Sequence, residues 1–285
     1  MDIQSANEET RNAWEVNATF WDEKMGEGNE FVNVLLWPAL ERFLKECFSA
    51  GKPRNNGEST NNHQGFLTGL ALLDVATGNG LVARRLATLG AHVSAFDFSR
   101  ELIKIARSKT PPEYQVKYSI IDVTRKEDLM TLEKNAFDCA VCNMALFDIA
   151  EIDTLFGTLP ELLKSNGVFI FTITHPAFNN SSSVHVAEEY DDGSKINTVY
   201  SIRTSRYMTP YHAHGVAMRD QPQSQLYFER PLQEYFITGF KHGFILDGFE
   251  ELAFPPKHPQ SHPLSWGGNF SEIPPVLIAR MRLHR

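Results

Sequence analysis

Three carboxylates and one glycine-bearing turn, all in the first half of the chain, are the residues whose type and spacing best fit chemistry. Leu70–Val75 reads as an apolar strand that runs into Asp74-Val75-Ala76-Thr77-Gly78-Asn79-Gly80. Glycine lets a backbone turn sharply and approach a ligand closely, and a helix starting near Leu81 points its positive end at the same spot. About 20 residues further on, Asp97 ends a second strand, where a carboxylate can accept from two ribose hydroxyls. Asp122 ends a third strand, placed to accept from an adenine amino group, and a fourth runs into Asn143-Met144-Ala145-Leu146-Phe147-Asp148. Three acidic strand ends suit a cationic ligand that carries ribose and adenine. A rival pattern is present: Gly78, Gly80 and Ala83 fit the GxGxxA dinucleotide fingerprint, with Asp97 at the expected distance. Against it, Asp74 stands where a dinucleotide fold places an aliphatic residue, and a pyrophosphate would face several carboxylates.

The elements that must position these residues follow from the hydrophobic pattern. Val82, Ala83, Leu86 and Leu89 share one face of a helix over Leu81–Leu89, which Gly90 ends. Ala91–Phe98 is the second strand; Ser99 caps a helix that turns Leu102, Ile103 and Ala106 inward. Val116, Tyr118 and Ile120 alternate along the third strand, and Cys139–Leu146 is apolar enough to be buried on both faces. A helix over Ile152–Leu163 contains Pro160, which predicts a kink or a restart, and Asn166-Gly167 turns into a fifth strand, Val168–Thr174. A helix over Pro231–His242 and strands over Phe244–Phe254 and Pro275–Leu283 close the chain. The expectation is an α/β, Rossmann-like, doubly wound sheet of seven mostly parallel strands, with a helical cover before it and a lid inserted into it. Its parts divide as a helical cover and loop (1–69), an α/β core (70–178), a lid (179–230) and a closing helix and strands (231–285).

Composition narrows the partners. The 285 residues carry a net charge of −8, which argues against nucleic acid or an anionic membrane as the main partner, since both need a cationic face. No apolar run approaches a spanning helix, the first residues lack a signal-peptide pattern, and three cysteines cannot build a disulfide framework. A cytoplasmic protein is expected. Gly51–Gly65, rich in Asn, Gly and Ser, reads as a surface loop.

The segments LLDVATGNG, AFDFSRELIKIAR, IIDVT, FDCAVCNMALFDI and LLKSNGVFIFTITHPAFN together resemble the class I S-adenosylmethionine-dependent methyltransferases. More narrowly, the chain is similar to their small-molecule, methyltransferase-domain branch. The resemblance extends from AWEVNATFWDEKMGEGNEF near the start to RPLQEYFITGFKHGFILDGFEE and IPPVLIARMRL at the end. It implies S-adenosylmethionine as cofactor and S-adenosylhomocysteine as product. It also implies that Ala76, Gly78 and Gly80 pack against the methionine portion, with Asp74 organising the amino group and Asp97 holding the ribose. Phe98 would lie beside the adenine, Asp122 and Val123 would bracket its edge, and Asn143 and Met144 would line the methyl-donor side. Ala76 departs from the family, which has glycine there. Trp14, Phe20 and Trp21 read as a helical cover, with Trp21 placed against the cofactor.

Other candidates are weighed by position. Cys139 and Cys142, at odd spacing on a strand, point to opposite faces and read as core. His258 and His262 lie in a proline-rich stretch that cannot form a regular helix, so no metal site is expected. His175 follows the fifth strand on the ligand side and is the candidate base; the alternative is a histidine bonded to backbone. His212, His214 and Tyr207 are candidate substrate contacts. The resulting expectation is in-line methyl transfer to a small, partly apolar acceptor. A non-catalytic S-adenosylmethionine-binding regulatory partner and an NAD(P)-dependent oxidoreductase are the alternatives.

Overall fold

Asp2 opens the first helix by accepting from the Ser5 amide at 2.9 Å, and α1 runs over Ile3–Met25. A π-helical turn (Phe31–Leu36) leads directly into α2 (Trp37–Phe48). The computed structural model describes residues 2–49 and 65–284, so the loop read over Gly51–Gly65 lies, except for Gly65, outside the described residues. Strands and helices then alternate: β1 (Ala71–Val75), α3 (Leu81–Thr88), β2 (His92–Asp97), α4 (Arg100–Lys109), β3 (Val116–Ile120), the single turn α5 (Lys126–Leu129), β4 (Phe137–Asn143), α6 (Asp153–Leu162) and β5 (Leu163–Thr174). Ser99 caps α4 as its type predicts, its side chain accepting from the Leu102 amide.

Two antiparallel hairpins follow: β6 (Ser183–Asp191) with β7 (Ile196–Thr204), and β8 (Tyr211–Gly215) with β9 (Gln225–Glu229). Then come α7 (Leu232–Lys241), β10 (Phe244–Leu252) and β11 (Val276–Leu283). The seven-stranded sheet has the order β10-β11-β5-β4-β1-β2-β3. β5, β4, β1, β2 and β3 are parallel, while β11 slots antiparallel between β5 and β10. The strand order reverses at β1, and in such sheets ligands bind beyond the carboxyl ends of the strands beside that point.

Alternation along β5 divides the core. Val168 and Ile170 pack with Leu40 and Leu44 of α2 and Leu86 of α3; Phe169, Phe171 and Ile173 pack with Phe156 of α6 and Tyr235 of α7. Cys139 belongs to the first layer and Cys142 to the second, so the two thiols face opposite sides of the sheet.

Three details differ from the expectation. α6 is one helix with Pro160 inside it and is not restarted as two pieces. Pro160 sits in the last turn, so the ladder bond it cannot make falls where the chain leaves for β5 anyway. β4 ends at Asn143 rather than Leu146, because Met144 adopts a left-handed conformation (φ 56°) that stops the pleat. The stretch after residue 176, expected as a lid, carries two regular antiparallel hairpins. Its first turn carries Gly193 at φ 86°, the residue such a tight reversal favours.

Candidate active site

A cavity of about 670 Å³ opens beyond the carboxyl ends of β1, β2 and β4. Its floor is the turn after β1. Ala76 and Gly78 both take left-handed backbone conformations (φ 52° and 57°), and the space where a Gly78 side chain would stand holds nothing within 4 Å. Asp74 is buried, its carboxylate accepting from the Thr77 hydroxyl at 2.5 Å, and burial pushes its pKa up to about 7. Gly80 faces the other way. A Cβ there would come within 2.5 Å of the Tyr118 hydroxyl and 2.9 Å of the Ala106 methyl, so this glycine serves helix packing and does not line the cavity.

Asp97 lines the cavity with a fully occupied inner edge. One carboxylate oxygen accepts from the Gly78 amide and the other from the Ser99 amide, each at 2.9 Å. Each oxygen keeps a lone pair for a ligand. Burial pushes this carboxyl up to about 6, and the nearby Glu15 carboxylate adds to the shift. Glu15 itself caps α4, accepting from the Arg100 and Glu101 amides at 2.8 and 3.0 Å, and so fastens α1 to a helix N-terminus.

Beside Asp97 the wall is apolar and aromatic. Trp14 and Trp21 meet edge to face with centroids 5.0 Å apart, packed with Phe98 and Leu102. Val123 lines the same wall, but Asp122 does not: its oxygens accept from Asn7 Nδ2 at 2.6 Å and from the Thr124 amide and hydroxyl at 3.0 and 2.7 Å. Asp122 therefore acts here as the anchor of α1 and of the following turn. Asn143 and Met144 line the cavity on the β4 side, Asn143 accepting from the Thr172 hydroxyl at 2.9 Å.

The remaining candidates are spread apart. His175 is buried outside the cavity. Its Nε2 faces Glu251 at 2.7 Å and its Nδ1 accepts from the Ala177 amide at 3.2 Å. The chain doubles back at once, the Asn179 amide donating to the His175 carbonyl at 2.7 Å, and this tight turn holds the imidazole toward β10. No proton transfer is assigned to His175. The Tyr207 hydroxyl accepts from the Leu232 amide at 3.2 Å and braces α7, while His212 is exposed on β8. Neither reaches the cavity; His214 touches its rim and pairs with Glu9 at 2.5 Å.

Sequence reasoning missed the far end of the cavity. Asp148, Gln225, Tyr227 and Glu229 meet there, supplied by the loop after β4 and by β9. Gln225 donates to one oxygen of Asp148 at 3.0 Å, and no partner among the described residues takes the other. Burial drives the Asp148 carboxyl well above the usual carboxylate range, reinforced by Asp97 and Glu229. Burial and the same Asp148 and Glu229 charges push the Tyr227 hydroxyl up as well. Gln225 is itself held by Gln221 at 3.0 Å, and Gln221 also donates to the Gln223 carbonyl at 2.7 Å. Gln223 exchanges two hydrogen bonds with Asn17 of α1, at 2.8 and 3.0 Å. The second hairpin and α1 thus roof the cavity together. The first hairpin does not: it stacks on Trp266 and Phe270 through His185 and Tyr200.

The donor set fits S-adenosylmethionine. An open glycine turn can admit the methionine portion, a carboxylate pair of lone pairs faces outward for two hydroxyls, and a flat aromatic wall adjoins them. Comparison with known proteins agrees. Residues 73–171 match the family described as a methyltransferase domain. A ubiquinone biosynthesis O-methyltransferase of Xylella fastidiosa is 37% identical over 109 residues, 38% of this chain and 43% of that protein. The match thus takes in less than half the length of this curated relative. An S-adenosylmethionine-dependent methyltransferase of Mesorhizobium loti superposes with a TM-score of 0.59 at 20% identity, covering 86% of this chain and 96% of that one. A Listeria monocytogenes protein assigned to the same class gives a TM-score of 0.59 at 21% identity, over 77% and 92% of the two chains. The fold is the one these two structures share, and residues 73–171 match the methyltransferase-domain family.

Proposed function

We propose that this chain, built on a methyltransferase domain, moves a methyl group from S-adenosylmethionine to a small, partly apolar acceptor. The observation that carries this reading is the single cavity that joins the Ala76–Gly78 turn and Asp97 at one end to Asp148 and Tyr227 at the other. S-adenosylmethionine, when bound, supplies an electrophilic methyl group on a sulfonium. Ala76 and Gly78 leave room for its amino-acid portion, Asp97 accepts from its ribose hydroxyls, and Trp14, Trp21 and Phe98 flank its base. Asn143 and Met144 separate this half from the acceptor half. α1 and the second hairpin exclude water and hold the acceptor in line, and such alignment supplies much of the rate of a displacement reaction. The cavity is of a size that takes a small molecule. The O-methyltransferase relative argues for a small-molecule acceptor, but it is matched over less than half its length.

Calorimetry with S-adenosylhomocysteine and with NAD tests the reading. Expected is one molecule of S-adenosylhomocysteine bound per chain and no binding of NAD. Binding of NAD alone ends it.

A further inference from the structure

The acceptor end of the cavity has a definite charge character. Two carboxylates, Asp148 and Glu229, line it, and no lysine or arginine does so among the described residues. The one basic side chain at its rim, His214, is paired with Glu9. An anionic acceptor would meet carboxylates with no basic side chain beside them to offset the like-charge repulsion. Phe147 and Tyr227 stand together at this end with ring centroids 5.9 Å apart, and aromatic faces attract cations. Asp148 is half-buried and lines the cavity, and one of its oxygens has no partner among the described residues.

Resting on the methyl-transfer reading, we propose that the acceptor is an amine, bound as its ammonium against Asp148 beside the Phe147–Tyr227 wall, and that Asp148 takes the proton which frees the nitrogen lone pair. The chemistry balances. One N–H bond breaks, and its proton passes to the Asp148 carboxylate. The nitrogen lone pair then forms a bond to the methyl carbon while the carbon–sulfur bond breaks, its electron pair staying on sulfur. The products are a methylated ammonium, which now carries the positive charge that sulfur has lost, and S-adenosylhomocysteine with a neutral thioether, and the Asp148 proton leaves to solvent when the roof opens. The ammonium also cancels the repulsion that the crowded carboxylates impose on Asp148. Gln225 is a positioning residue: buried, and held by Gln221, it fixes which oxygen of Asp148 stays free. Glu229 is partly occupied already, one oxygen accepting from the Ser181 amide and hydroxyl at 2.8 and 2.5 Å.

The test is a binding series on protein saturated with S-adenosylhomocysteine, in which no sulfonium competes for Asp148. Three probes of similar shape are titrated by calorimetry: 2-phenylethylammonium, 2-phenylethanol and phenylacetate. The ammonium is expected to bind about tenfold more tightly than the alcohol, as one charge-assisted hydrogen bond implies, and phenylacetate not at all. Asp148→Asn, which keeps the side chain's shape, should bring ammonium and alcohol to similar affinity while S-adenosylhomocysteine still binds. Tyr227→Phe, which keeps the ring face, should preserve the ranking. Phenylacetate or the alcohol binding as well as the ammonium, no probe binding at all, or an unchanged ranking in Asp148→Asn overturns the proposal while leaving methyl transfer standing. Failure of S-adenosylhomocysteine itself to bind overturns both.

Discussion

Replacing Asp97 with asparagine keeps the size of the side chain and removes its charge. In the native site the Gly78 and Ser99 amides occupy the inner lone pairs, at 2.9 Å each, and the outer ones face the cavity. The loss of charge-assisted bonds to two hydroxyls is worth about 1–3 kcal/mol, or roughly 5- to 150-fold in S-adenosylhomocysteine affinity at pH 8. The acid dependence is more diagnostic. Burial pushes Asp97 up to about 6, and only its ionised form accepts from both hydroxyls. At pH 5 about a tenth of such a group is ionised, so this group alone should lower wild-type affinity about tenfold between pH 8 and pH 5. Asp74, pushed up to about 7 by burial, acts in the same direction and remains in the variant. Asp97→Asn should therefore show a shallower pH slope, not a flat one. The sign for stability runs opposite. Between the unfolded value of 3.8 and about 6 the empty folded protein retains a proton that the unfolded chain has lost, so stability falls as pH rises through that window. Calorimetry from pH 5 to pH 8 reads the affinities. A wild-type affinity that is flat with pH, or a variant within twofold of wild type at pH 8, refutes the assignment of Asp97 to the ribose.

Gly80→Ala should cost about 2–4 kcal/mol in urea unfolding, since its methyl would collide with Ala106 and Tyr118 at a backbone angle of φ 79°; an unchanged midpoint contradicts the packing role. Ala76→Gly should raise stability by up to about 1 kcal/mol, because it relieves a left-handed alanine at φ 52° and loses only part of that to chain entropy; a clear loss in the same assay counts against this. His175→Ala should lower stability by about 1–2 kcal/mol through the lost Glu251 contact while leaving S-adenosylhomocysteine affinity within twofold. Equal loss of both would return His175 to the site.

What could be read from the sequence was local. Ser99 announces its cap, Gly90 the end of α3, and the odd spacing of Cys139 and Cys142 their opposite faces, because each follows from a few neighbouring residues. The glycine turn and Asp97 were legible for the same reason: a strand end, a turn and a helix start lie within one short stretch. The hairpin ribbon after residue 176 was hidden because exposed antiparallel ribbon buries little, so its strands lack a hydrophobic stripe. Val184, Tyr190, Ile196 and Val199 are all largely exposed. Only the turn around Gly193 offered a signal. Gln225 and Tyr227 could not be assigned, since their meeting with Asp148 spans some 80 residues and is fixed by tertiary packing alone. His175 misled because strand direction places a residue near a site without saying which way its side chain turns.

The two halves of the roof lie far apart in the chain: Asn17 and Gln223 are 206 residues from one another. A ribosome that has delivered the five parallel strands has therefore made the binding turn but not its ceiling. Until β9 emerges, Trp14 and Trp21 can cover only one wall of the cavity, and Asp148 has no Gln225 to hold it. In the growing polypeptide the far end of the cavity is thus closed only once β9 has been added.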